Sequence, residues 1–192
     1  MGNKLKLFMV LLGSKASGRT VEQHDFFFGI GLSLKALIPD LHAFWPEAGS
    51  SLHIDGWREV THVDGYRVEV RKVSEINQDL NNGRRLFFVN LGGYQTGKLE
   101  EQHYTLLTVQ EHRKGAIKTS TLTNFFKQQT ITAVKSASAH IDEKYGIDVD
   151  EVYQIDDVLA PVMKLHYRLV LTPDPLGTAD EIHLGYYKLD KI

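Results

Sequence analysis

LFMVLLGSKASGRTVEQH, residues 7–24, is answered seventy-nine positions later by LFFVNLGGYQTGKLEEQH, residues 86–103. Without gaps, nine of the eighteen positions are identical: Leu7/Leu86, Phe8/Phe87, Val10/Val89, Leu12/Leu91, Gly13/Gly92, Gly18/Gly97, Glu22/Glu101, Gln23/Gln102 and His24/His103. Chance alone would give about one, so the pair reads as an internal repeat, the feature to establish before any single element. Ser17/Thr96 and Arg19/Lys98 are chemically close as well.

Each copy opens on a short apolar run that ends in glycine. Residues 4–12 are too few for a core helix and read as a buried strand. Residues 13–18 then read as a turn-rich loop whose glycines supply positive φ. The loop has neither the Gly-Lys-Ser/Thr ending nor the glycine spacing of a phosphate-binding loop, and the second copy lacks the lysine. Residues 22–30, EQHDFFFGI, read as a second strand, on which Glu22 and His24 share a face because they lie two apart. Lysines followed by an apolar run also suggest a signal peptide. The same pattern recurs in mid-chain, where it must be a folded strand, so a strand is expected in both places.

Further out, Ser33 is positioned to cap a helix carrying Leu34, Leu37, Ile38, Leu41, Phe44 and Trp45 as a one-sided apolar stripe. Pro39 falls inside it and predicts a kink. Residues 51–61 and 66–71 read as strands joined through Asp64-Gly65, a strong hairpin signal. The first repeat is therefore ββαββ over residues 4–73, followed by a polar linker at 74–85. A second repeat, residues 86–190, carries a helix over about 113–127, an insertion, a short strand at 152–155, and closing strands at 167–171 and 182–189. Together these predict an α+β fold, a duplicated ββαββ-type repeat whose two halves pack as a pseudo-symmetric unit or as one merged sheet. Each half is small enough to be marginal alone.

Composition narrows the function classes. Hydrophobic residues at 42% and charged residues at 24% fit a soluble globular chain. A net charge of −2 lacks the basic excess of a broad nucleic-acid surface, and Arg71-Lys72 with Arg84-Arg85 make only two basic pairs. With no cysteine there is no disulfide or thiolate chemistry. No apolar run approaches the roughly 20 residues of a membrane span. The expectation is a cytoplasmic protein with neither membrane nor nucleic acid as partner. A small molecule, a protein, or a second copy forming a homodimer stays open.

With both copies in hand, the chain resembles the domain-of-unknown-function family 1543, a small and mostly bacterial set whose members carry this module once or twice. EQHDFFFGIG (22–31), HIDGWREV (53–60) and HIDEKYGIDVDEVY (140–153) look like its recurrent segments, and the resemblance runs from about Lys4 to Tyr187. Ser14 departs from it, since Gly93 leads one to expect glycine there. The resemblance implies fold boundaries and a cytoplasmic setting. It carries no activity, cofactor or catalytic residue.

Two matching polar sets stand out: Glu22, His24, His53 and Asp55, and Glu101, His103, His140 and Asp142. Imidazole and carboxylate are ordinary ligands of zinc, manganese and iron, and are also the parts of an acid/base pair. The spacing matches no HExxH or Cys-His pattern, so neither a metal nor a cofactor is assigned. The plainer reading is that these side chains satisfy loop backbone groups beside the glycine turn. The acidic segment 142–157 lacks the spacing of a calcium loop and reads as a solvated face. The expected function is a non-catalytic ligand-binding or protein-interaction module. The alternative is a metal-dependent hydrolase using the two Glu/His/Asp sets.

Overall fold

The computed structural model describes residues 4–76, 80–94, 99–123 and 147–192. In chain order its main elements are β1 (Lys6–Ser14), β2 (Gln23–Gly31), α1 (Ile38–Phe44), β3 (His53–Glu59), β4 (His62–Val63), β5 (Tyr66–Lys72), β6 (Arg85–Tyr94), β7 (Glu101–Gln110), α2 (Arg113–Ser120), β8 (Ile147–Gln154), β9 (Tyr167–Pro173) and β10 (His183–Lys188). Strands dominate and helices are few, so the fold is α+β. Among the described residues the strands form three sheets, ordered β10-β3-β1-β2, β4-β5-β9 and β7-β6-β8, rather than one merged sheet.

Contact clustering divides the chain into two units, Met1–Leu80 with Leu159–Ile192, and Asn81–Val158. In the first, β1 is an interior strand because its apolar run can bury both faces. Phe8, Val10 and Leu12 point to one side, where they join Phe27, Leu37, Leu41, Ile54 and Leu189 in the core. Leu7 and Met9 are buried on the other side, near which β5 runs. The expected helix divides at Pro39. A 3-10 turn at Lys35–Leu37 precedes α1, which starts at Ile38 with the proline in its first turn. A first-turn residue has no intrahelical acceptor for its N–H, so proline restarts the helix there instead of kinking it. Asp64 and Gly65 have φ of 51° and 75°, the two positive values a tight hairpin turn requires.

The closing strands are where the sequence-based organisation needs correction. They were expected to complete the second repeat. Instead β9 pairs antiparallel with β5 from Tyr66↔Pro173 to Lys72↔Tyr167, and β10 pairs with β3. The first unit is thus discontinuous, because β3 and β5 each find a hydrogen-bonding neighbour about a hundred residues away or more. The insertion-side helix is also shorter where it is described: α2 ends at Ser120, and residues 124–146, including Phe125 and Phe126, lie outside the described residues.

In the second unit β6 lies between β7 and β8, both antiparallel to it. Ala116 of α2 packs with Phe87, Val89, Leu91 and Val152. The ladder of this unit and the β2-β1-β3 ladder of the first unit each carry one register shift. β1 and β3 lose register between Leu11 and Leu12, with Asp55 as the extra residue. β6 and β8 lose it between Asn90 and Leu91, with Asp150 as the extra residue. Gly13 pairs with His53, and Gly92 pairs with Asp148.

Candidate functional site

The first polar set comes together at one end of the β2-β1-β3 ladder. Gly13 sits opposite His24 on β2 and opposite His53 on β3. Cross-strand partners share a face, so both imidazoles rise from the side of the sheet away from the α1 core. The bulge then adds Asp55 to that side as an unpaired residue. Bulges re-aim side chains in this way beside functional sites.

His53 anchors the arrangement. It is only 2% exposed, and its Nδ1 lies 2.8 Å from the Ser51 carbonyl oxygen. That acceptor places the proton on Nδ1, so in the neutral ring the lone pair is on Nε2. His53 Nε2 is buried without a hydrogen-bond partner, yet it lies 3.1 Å from Glu22 Oε1 and 3.2 Å from Asp55 Oδ1. A lone pair facing two carboxylates is unfavourable unless a proton or a metal cation sits among them. Glu22, His53 and Asp55 each offer one ligand atom, all within 4.8 Å of one another.

His24 stands at the rim, with its side chain 45% exposed. Its Nε2 is 3.0 Å from Asp55 Oδ2 and 3.7 Å from Glu22 Oε2. Asp55 Oδ2 receives no aligned hydrogen bond. The cluster opens toward solvent on the Glu22 and His24 side.

Several supporting residues had escaped the sequence reading. Gly13 is part of β1 and is not among the residues with positive φ. It is glycine because a Cβ there would lie 2.3 Å from Asp55 Oδ2 and 2.5 Å from His53 Nε2. Only Gly18 in that stretch has positive φ, 77°. Ser14, buried beside it, meets Ser51 Oγ at 2.7 Å, and Ser51 Oγ donates to the Ala48 carbonyl. This steadies the turn that carries the acceptor for His53. The Tyr186 ring packs on His53 with centroids 4.2 Å apart. Gly13 was visible as an identity between the copies; Tyr186 left no such signal.

In the second unit Glu101 and His103 again face one another, with His103 Nε2 3.9 Å from Glu101 Oε2 and His103 Nδ1 3.5 Å from Asn90 Nδ2. His140 and Asp142 lie outside the described residues. By register Asp148 and Asp150 occupy the ladder positions that His53 and Asp55 hold in the first unit.

A family model described as Domain of Unknown Function (DUF1543) matches residues 19–70. That span contains Glu22, His24, His53 and Asp55. No curated protein matches the chain. Among solved structures, the crystal structure of a protein Il1583 from Idiomarina loihiensis is similar, with a TM-score of 0.62 and 22% sequence identity. The match covers 96% of this chain and 97% of that one, so the likeness in fold extends over nearly the full length. Among the described residues no helix is long and apolar enough to cross a membrane.

Proposed function

We propose that the first unit is a binding module whose primary ligand is a divalent transition-metal ion held by Glu22, His53 and Asp55. The observation that carries this is His53 Nε2, buried, without a hydrogen bond, and about equidistant from two carboxylate oxygens. A metal bound at about 2.1 Å sets neighbouring donors about 3.0 Å apart at right angles and about 3.4 Å apart at the tetrahedral angle. The measured 3.1 and 3.2 Å lie between these. Two carboxylates balance the charge of a divalent ion, and a mixed oxygen and imidazole set suits zinc, manganese or iron(II). The Nδ1–H of His53 on a backbone carbonyl is the outer contact that usually orients a ligating imidazole.

Hydrolysis is the second reading. Three protein ligands leave coordination positions open for water. His24, exposed and next to Asp55, is placed to exchange a proton with such a water. The duplicated origin of the two units belongs to the same proposal, supported by the matching bulges and glycine pairs. A cytoplasmic, bacterial setting rests on the family resemblance.

Metal content and thermal stability of the purified chain test the reading. Manganese or zinc should bind near one equivalent per chain in the first unit and raise the melting temperature. Asp55→Asn should abolish that rise while leaving the metal-free protein folded, because functional clusters of like charge are held at a cost to stability. A stabilising response that survives Asp55→Asn and His53→Ala would refute the assignment.

A further inference from the structure

On the β10 side of His53, across β3 from β1, the same face of the sheet carries an apolar shelf. Leu184 and Tyr186 are 74% and 63% exposed, unusual for neighbouring large side chains on an edge strand, where charges are the common choice. Both are held in place. Leu184 lies over Gly56, where a Cβ would come within 3.0 Å of Leu184 Cδ2. Tyr186 lies on the ring of His53. Between them Gly185 takes a φ of 151°, a value L side chains rarely adopt, at the step where β10 loses register with β3. Tyr187, next along, packs instead against the core, and its hydroxyl donates to the Leu184 carbonyl. Along β1 and β2, Leu11 and Phe26 pair with each other two rungs from Gly13 and His24, on the same face and only half-buried.

We infer that the centre is completed by a small molecule with an oxygen-donor anion on the metal and a flat, apolar body lying on Tyr186 and Leu184. This deepens the metal reading above and depends on it. Hard oxygen donors fit the remaining positions of a carboxylate-rich site. An exposed aromatic ring already fixed in orientation offers its free face for offset stacking at little entropic cost. Small-molecule sites combine such apolar walls with a few convergent polar groups.

Two hydroxamates with the same metal-binding head separate the shelf from the metal. Cobalt(II)-loaded protein is titrated with benzohydroxamate and with acetohydroxamate, and binding is followed by the visible cobalt absorption. The expected result is that the wild type prefers benzohydroxamate about tenfold. Tyr186→Ala and Leu184→Ser should each reduce that preference, measured on protein saturated with cobalt so that any change in metal affinity does not enter the ratio. Equal affinity for the two probes in the wild type, or a preference untouched by both substitutions, would overturn the shelf while leaving the metal site intact. Absence of a cobalt spectrum would defeat the metal reading and the shelf together. A wild-type dimer that dissociates on either substitution would assign the shelf to a second copy of the chain and overturn the small-molecule inference.

Discussion

Gly13 and His53 face each other across the β1–β3 ladder, and a Cβ on Gly13 would lie 2.5 Å from His53 Nε2. The glycine therefore makes room for Asp55 and His53 and does not serve a turn. His53 cannot swing away easily, because its Nδ1 is tied to the Ser51 carbonyl.

Gly13→Ala follows directly. The added methyl must displace Asp55 or His53, an overpacking that costs about 1–3 kcal/mol. The variant is expected to melt lower and to lose its thermal response to manganese or zinc. Calorimetry with and without metal checks both. An unchanged response to metal would mean that the cluster tolerates displacement and that the glycine has another reason.

The acid limb of stability should depend on Glu69. The hydrogen bond from Lys4, with Arg71 also paired to it, holds its carboxyl below the usual carboxylate range, against the opposing pull of burial. A depressed folded-state pKa contributes stability that is present above the unfolded value, about 4.3 for Glu. That stability is lost as pH falls through the still lower folded value. Glu69→Gln is expected to flatten the fall in melting temperature on acidification below about pH 5. Parallel profiles for variant and wild type would show that the Lys4–Glu69–Arg71 cluster contributes nothing measurable.

Much of this was legible in the sequence, and what was missed has common physical causes. The β1–β2 pair, the apolar stripe of Leu34, Leu37 and Leu41, and the Asp64-Gly65 turn depend on local periodicity and backbone preference, which single residues report. Glu22 and His24 were expected on one face for the same reason, and both lie beside Asp55. The destinations of β9 and β10 depend on which distant strands have an unpaired edge, which local pattern does not encode. The register positions of Asp148 and Asp150 depend on the bulge in the β6–β8 ladder, which letter matching does not report. Gly13 was read as a turn glycine because sequence shows the missing side chain without showing what approaches it.

The discontinuous first unit makes its own prediction. Residues 1–80 alone leave β3 and β5 without β10 and β9, and buried Leu169, Val170 and Leu171 are absent. That fragment is expected to lack a cooperative thermal transition. Replacing residues 81–158 by a flexible Gly-Ser linker keeps both strands available, and this version is expected to melt cooperatively. Cooperative unfolding of residues 1–80 by themselves would show that the C-terminal strands are dispensable.

The most direct measurement is anomalous diffraction at the zinc or manganese edge from crystals grown with that metal. A single strong peak is expected in the first unit, about 2.0–2.3 Å from Glu22 Oε1, His53 Nε2 and Asp55 Oδ1, with no displacement of the Ser51 carbonyl from His53 Nδ1. A peak elsewhere with an empty cluster, or none at millimolar metal, would contradict the central claim and leave His53 as a protonated imidazolium between its two carboxylates.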